Sequence, residues 1–260
     1  MNRRQRTVFG EVASTYDEIR ASYPDATIDR VVELTSLSGP CEILDVGCGT
    51  GILSEAFIGR SHKVLGIEPS SEMAAMARRK FAGNPNFRLH LVDFQAWSPG
   101  RERFDLVVAG QSWHWMDPAT RFADAAAALR DTGHLGLFWN TPQPLEATLQ
   151  DALDEAYAEH APGMLGGPPG SKAGLGGNAP DEEIEQADRF ELVEVVEHQW
   201  TRRYDSQAYA KLLSTQSDHR LLNDAYRDAL LGAIADVIDD IGDGTITVPY
   251  VCRAYVARLS

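Results

Sequence analysis

Ile43-Leu44-Asp45-Val46-Gly47-Cys48-Gly49-Thr50-Gly51 reads as a short buried strand running into three alternating glycines. Glycine at every second position lets the main chain approach a ligand where any Cβ would collide. An ordinary strand–turn–helix junction also uses glycine, so the register of the loop has to separate the readings. A nicotinamide or flavin site needs G-x-G-x-x-G/A, with a small sixth residue that lets helix pack on strand. Counted from Gly47 the sixth residue is Ile52, and that fingerprint fails. No Lys-Ser/Thr pair follows the glycines, which removes a P-loop. What remains is a G-x-G-x-G bend with Asp45 two residues ahead of it.

Outward from this bend, strands and helices alternate. Thr27 to Leu37 has helical apolar spacing, and Ile52 to Ile58 reads as the helix after the bend. Val64 to Ile67, Phe87 to Val92, Phe104 to Ala109 and Leu135 to Trp139 read as further strands. Ser70 to Phe81 and the Ala-rich Pro118 to Leu129 are the helices between them. Such alternation predicts a doubly wound α/β sheet of Rossmann type. The strands from 43 to 139 look apolar throughout, as burial on both faces requires. Ligands of these folds sit beyond the carboxyl ends of the strands, where the strand order reverses.

Past Asn140 the pattern changes. Leu145 to His160 is an amphipathic helix, and 161–180 is crowded with Gly and Pro, the composition of a loop or lid. Leu192 to His198 and Thr245 to Leu259 read as two more strands, with helices near Ser206 to Ser214 and His219 to Ile241 between them. We therefore expect one domain over 1–260. Residues 1–38 would form an N-terminal helical segment, 39–140 the cofactor-binding core, and 141–189 with 205–244 cap or lid insertions.

Charge and cysteine usage narrow the partners. The 260 residues carry a formal net charge of −14, which repels phosphate backbones and disfavours nucleic acid. No run approaches the roughly 18–20 apolar residues that cross a bilayer, and no signal peptide is legible at the start. The three cysteines (Cys41, Cys48, Cys252) have no metal-site spacing and suit a reducing compartment. A cytoplasmic monomer or homodimer acting on a small molecule, without metal, is the expectation.

The strand ends carry the chemistry. Glu68 closes the second strand, seventeen residues beyond Gly51. A carboxylate there can accept both hydroxyl protons of a ribose, or it can simply cap the next helix. Asp93-Phe94-Gln95 follows the third strand, where the acid suits an adenine amino group and the ring a base face.

These features together resemble the class I S-adenosylmethionine-dependent methyltransferases, in particular the small-molecule branch of trans-aconitate methyltransferase. The resemblance rests on "ILDVGCGTG", "VLGIEPSSEMAAMAR", "LVDFQAW" and "FDLVVAGQSWHWMD", with the N-terminal "VFGEVASTYDEIRASYP" and the C-terminal "LLSTQS". It implies a seven-stranded sheet whose last strand, about Ile246 to Leu259, is antiparallel. It also implies S-adenosyl-L-methionine as cofactor and S-adenosyl-L-homocysteine as product. Asp45 and the loop Gly47, Cys48, Gly49, Thr50 and Gly51 would line its methionine and ribose part. Glu68 would take the ribose hydroxyls, Pro69 or Met73 would pack the adenine, and Asp93, Phe94 and Gln95 would meet its edge and face. Gln111 would meet the methionine part, and Tyr16 and Arg20 would close over the cofactor's carboxylate.

Gln111-Ser112-Trp113-His114-Trp115 follows the fourth strand, beside the expected methyl group. His114 is the one histidine placed to act as a base there; alternatively it anchors the loop. Similar His-Trp pairs in relatives that methylate carboxylates favour the anchor, because a carboxylate acceptor needs no base at neutral pH. Arg202 and Arg203 read as exposed, with an anionic substrate as their other use. Trp139, Tyr157, Tyr209 and Leu212 are pocket walls or core packing. Three rivals stand beside methyl transfer to a small molecule: an oxidoreductase, a protein of the same fold that binds the cofactor without transferring its methyl group, and an RNA or protein methyltransferase, with the acidic charge counting against RNA.

Overall fold

A computed structural model describes residues 17–101, 103–164 and 180–260. Seven strands form one sheet: β1 (Glu42–Val46), β2 (Lys63–Glu68), β3 (Phe87–Leu91), β4 (Phe104–Gly110), β5 (Leu129–Pro142), β6 (Phe190–Asp205) and β7 (Thr245–Leu259). Their spatial order is β3-β2-β1-β4-β5-β7-β6. The β1–β2, β1–β4, β2–β3 and β4–β5 pairs are parallel, whereas β7 runs antiparallel to both β5 and β6. Chain order reverses between β1 and β4, so their carboxyl ends flank the crevice where α/β sheets bind ligands.

Period-two alternation along β1 sends its side chains to both faces. Ile43 packs with Ile28 and Val31 of α1 (Asp25–Leu34) and with Leu53 and Phe57 of α2 (Ile52–Ile58). Leu44 and Val46 face the opposite side, among Trp113, Ala125 and Ile184, the last two from α4 (Arg121–Ala128) and α6 (Pro180–Glu185). Asp45 therefore shares the Ile43 face, beneath α2, and this register puts a carboxylate inside the domain.

α3 (Ser71–Lys80) starts where the Ser70 hydroxyl accepts from the Met73 N–H at 3.3 Å, and it ends on Arg78, Arg79 and Lys80. Both ends suit the helix dipole. A third apolar cluster joins α5 (Ala147–His160), α7 (Ser206–Ser214), α8 (Asp224–Ile241) and the adjoining ends of β6 and β7. Tyr157, Tyr209 and Leu212 are buried in it, and Trp139 packs edge-on against Tyr255. No helix among the described residues is long and apolar enough to cross a membrane.

Several expectations need correction. β3 is not buried on both faces: Arg88, His90 and Leu91 are exposed, because β3 is an edge strand with only β2 beside it. β6 runs past His198 to Asp205, its register with β7 continuing to Asp205↔Thr245. Past Val193 its exposed positions are charged or polar, as an edge strand wet on one face tolerates, and this hides its length in the sequence. β5 likewise begins at Leu129, and the last long helix begins at Asp224 after a separate 3-10 turn at His219–Leu221. Most of the glycine-rich stretch, residues 165–179, lies outside the described residues.

Candidate functional site

The bend after β1 is built by close approach. Gly47 has φ of +67°, and a Cβ there would stand 2.7 Å from the Ser112 Cβ. Ser112 locks the contact by donating to the Val46 carbonyl at 2.6 Å, which ties the turn after β4 to the glycine bend. Gly49 also has positive φ, +57°, yet a Cβ there would meet nothing within 4 Å. The first glycine serves packing; the second leaves bare main chain facing open space.

That space is a cleft open to solvent. It is lined by Asp45, Gly47, Cys48, Gly49, Thr50, Ile52 and Leu53 on the β1–α2 side and by Gly110 and Gln111 at the end of β4. Arg20, Ala21 and Tyr23 close it from the N-terminal side. Gln111 is a non-glycine residue with φ of +52°, its N–H held by the Phe138 carbonyl at 2.8 Å. A left-handed side-chain-bearing residue at a cleft edge is a form of stored backbone strain that clusters at functional sites.

Asp45 is the site's most unusual group. It is 1% exposed, and its Oδ2 accepts from the Ser54 hydroxyl at 2.6 Å. Its Oδ1 is buried with no partner among the described residues. Burial pushes its carboxyl up to about 7, with the Glu68 charge adding to the rise and the Ser54 hydrogen bond opposing it. A buried carboxylate with one unpaired oxygen on a cleft is a receptor for a cationic donor.

Glu68 ends β2 as expected and is also mostly buried. Its Oε2 accepts from the Gly49 N–H at 2.9 Å and its Oε1 from the Ser70 N–H at 2.8 Å. The carboxylate thus braces the glycine bend against the start of α3.

The other expected residues fall into groups. Cys48 lines the cleft, but its sulfur lies over β2, where a Cβ on Gly66 would stand 2.6 Å from it; burial holds its thiol well above its usual range. Thr50 is buried at the cleft, and Gly51 starts α2 with its N–H on the Cys48 carbonyl at 2.8 Å. Pro69 is exposed and Met73 buried, both at the head of α3. Asp93 caps a short 3-10 turn, accepting from the Gln95 N–H at 3.2 Å, and Gln95 is exposed. Phe94 is 3% exposed, and the structure places its ring in the core beside Trp97 rather than along the cleft. Tyr16 lies outside the described residues.

His114 does not line the cleft. Its ring packs on Trp115 at 4.9 Å, and its outer edge is exposed. The protein packed on its inner side, and then the Arg121 charge, hold its pKa down to about 4, so it is neutral at pH 7. The loop that carries it is fixed by Arg121, which is 5% exposed, donates to the Trp113 carbonyl at 3.1 Å and pairs with Glu183 at 2.6 Å. Arg203 is exposed, but Arg202 corrects the expectation: it is half-buried and donates to the Arg20 carbonyl at 2.8 Å.

Tyr23 was not legible as a site residue. Its hydroxyl lies 2.5 Å from where a Cβ on Gly110 would stand, so Gly110 makes room for it at the cleft. The available signal is its position just before Pro24, the N-cap of α1, which fixes the chain's direction there.

Residues 43–133 match the methyltransferase domain family. An uncharacterised methyltransferase of Mycobacterium tuberculosis is 33% identical over 133 residues, 51% of this chain and 52% of that protein. The alignment thus spans about half the length of that relative. Among solved structures, a protein of Anaeromyxobacter dehalogenans put forward as a type II methyltransferase superposes with a TM-score of 0.68 at 18% identity, covering 92% of this chain and 97% of the other. A SAM-dependent methyltransferase from Thiobacillus denitrificans, in complex with S-adenosyl-L-homocysteine, gives 0.54 at 14% identity, covering 95% and 96%. Both show a shared fold.

Proposed function

We propose that this protein, whose residues 43–133 match the methyltransferase domain family, binds S-adenosyl-L-methionine in the cleft between β1 and β4 and methylates a small-molecule acceptor. The observation that carries the reading is Asp45 Oδ1, buried and unpartnered on the cleft beside the bare main chain of Gly49. An ammonium group satisfies that oxygen and keeps Asp45 ionised. Glu68, at the end of β2 and bonded to the Gly49 N–H of the bend, takes the ribose hydroxyls, and Arg20 faces the carboxylate. Asp93 and Gln95, with Pro69 and Met73, bound the adenine end.

The bound cofactor supplies a methyl group on a positively charged sulfur, already activated as an electrophile. The chain's task is alignment and exclusion of water. Tyr23 and Gln111 wall the cleft at the end of β4, and the strained Gln111 main chain fixes that edge. A histidine held near 4 is a poor proton acceptor at neutral pH. This favours His114 as a loop anchor and an acceptor that arrives ionised, such as a carboxylate. We read residues 39–140 as the cofactor-binding part and 141–189 with 205–244 as the cap that selects the acceptor.

Calorimetry with S-adenosyl-L-homocysteine and with NAD tests the cofactor assignment. Binding of the former alone is expected, and binding of neither would end it. Transfer of label from the methyl group of S-adenosyl-L-methionine into a metabolite extract then tests turnover. Tight binding with no labelled product would instead mark a cofactor-binding protein without transfer.

A further inference from the structure

The stretch Leu212-Leu213-Ser214-Thr215-Gln216-Ser217 carries part of the family resemblance, yet none of its residues has a role in the cofactor site described above. Leu212 and Leu213 anchor α7 in the cap cluster, and Thr215, fully buried, is the helix C-cap. Its hydroxyl donates to the Leu212 carbonyl at 2.6 Å and accepts from the Arg20 Nε at 3.1 Å. Its own carbonyl accepts from Arg20 Nη2 at 3.2 Å. One residue therefore grips two edges of a guanidinium 195 positions away in sequence.

A second grip acts on the same residue. Arg202, from β6, donates to the Arg20 carbonyl at 2.8 Å while its guanidinium lies 5.1 Å from the Tyr204 ring. Arg20 is held by both side chain and main chain, from two elements on the cap side, while it lines the cleft that holds Asp45. An unheld arginine would have to surrender its rotamer freedom on binding an anion; a gripped one surrenders less.

We propose that Thr215 is a positioning residue for cofactor binding. It sets the Arg20 guanidinium against the cofactor's carboxylate and so couples the docking of α7 to occupancy of the cleft. The inference rests on the cofactor reading above. The Thr215 hydroxyl both orients the helix end and supplies an acceptor to a cation, so it is matched by serine but not by the isosteric valine.

The test compares wild type, T215V and T215S by calorimetry with two probes, S-adenosyl-L-homocysteine and 5′-methylthioadenosine. The second shares the nucleoside and sulfur but lacks the amino-acid carboxylate. T215V should bind the first about tenfold more weakly, as loss of a hydrogen bond to a charged group implies. Its affinity for the second should stay within about twofold of wild type, and T215S should match wild type on both, since ligands without the carboxylate never engage Arg20. In turnover, T215V should raise KM for S-adenosyl-L-methionine with kcat unchanged. Equal losses for both probes would show a merely structural role and overturn the proposal, as would unchanged binding of the first. If T215V does not fold, R202M carries the same comparison with the same expected selectivity. Failure of wild type to bind S-adenosyl-L-homocysteine would instead remove the cofactor reading and this inference with it.

Discussion

The substitution Asp45→Asn separates what the buried acid does for the ligand from what it does to the fold. Asparagine keeps the shape and can still accept from the Ser54 hydroxyl, but it carries no charge. The Asp45 carboxyl rises from 3.8 to about 7 on folding. At about 1.4 kcal/mol per tenfold, that rise makes the ionised group cost about 4 kcal/mol in the ligand-free protein. The sign follows from the direction. The folded state holds the proton more tightly, so the stability linked to it is fully present below 3.8 and is lost as pH rises through 7. Asp45→Asn should therefore match wild type near pH 4 and outlast it at pH 8, by up to about 10 °C in Tm for a chain of this size. The assay is a set of urea and thermal melts of both proteins, ligand-free, from pH 4 to 8. S-adenosyl-L-homocysteine should then reverse the order at pH 8. It should stabilise wild type and leave the variant unmoved, because the variant presents an amide N–H where the ammonium needs an acceptor. A stability difference independent of pH, or a variant less stable than wild type at pH 8, would refute the reasoning.

Glu68→Ala should weaken S-adenosyl-L-homocysteine binding by about 100-fold or more, since charge-assisted acceptors for the ribose and the brace on Gly49 go together; calorimetry reads it, and unchanged affinity would remove the assignment. His114→Ala should leave turnover within about tenfold, general-base losses being larger. With its pKa held to about 4, the wild-type pH–rate profile should show no inflection from this group between 6 and 8. A loss of several hundredfold in a folded variant would make it a base. Tyr157→Phe removes the hydroxyl bonded to the fully buried His219 Nε2 at 2.7 Å. That should cost about 1–3 kcal/mol in urea melts by leaving the ring nitrogen unsatisfied, with cofactor affinity unchanged.

The sequence showed the β1–α2 bank of the site clearly because its information is contiguous. Asp45, Gly47, Gly49 and Thr50 are neighbours in the chain and in the cleft, and the register of three glycines distinguishes their bend from other nucleotide loops. Glu68 was legible for a related reason, since parallel pairing of β2 beside β1 brings its tip to the same edge. What it braces was not. Its hydrogen bonds to Gly49 and Ser70 depend on side-chain direction at the strand end, and no spacing rule encodes that. Apolar composition failed at β3 and β6 in opposite ways. It overstated the burial of the first and understated the length of the second, because position at a sheet edge belongs to topology and not to local pattern.

The remaining site residues come from long-range packing. Tyr23 enters the cleft because Gly110 lacks a side chain 87 positions later, and Arg20 is set by Thr215 and Arg202 from the far end of the chain. Neither relation leaves a periodic trace. The two banks also differ physically. The β1 bank is rigid main chain and buried acid, fixed once the sheet forms. The Arg20 bank is a cation held by hydrogen bonds to the cap, and it exists only while α7 and β6 are packed. The proposed cofactor site was therefore readable on its sheet side alone, whereas the contacts that hold Arg20 lie where the cap meets the N-terminal segment. Substitutions that loosen the cap should weaken binding of ligands bearing the carboxylate while sparing the nucleoside end, the opposite of what loosening the glycine bend should do.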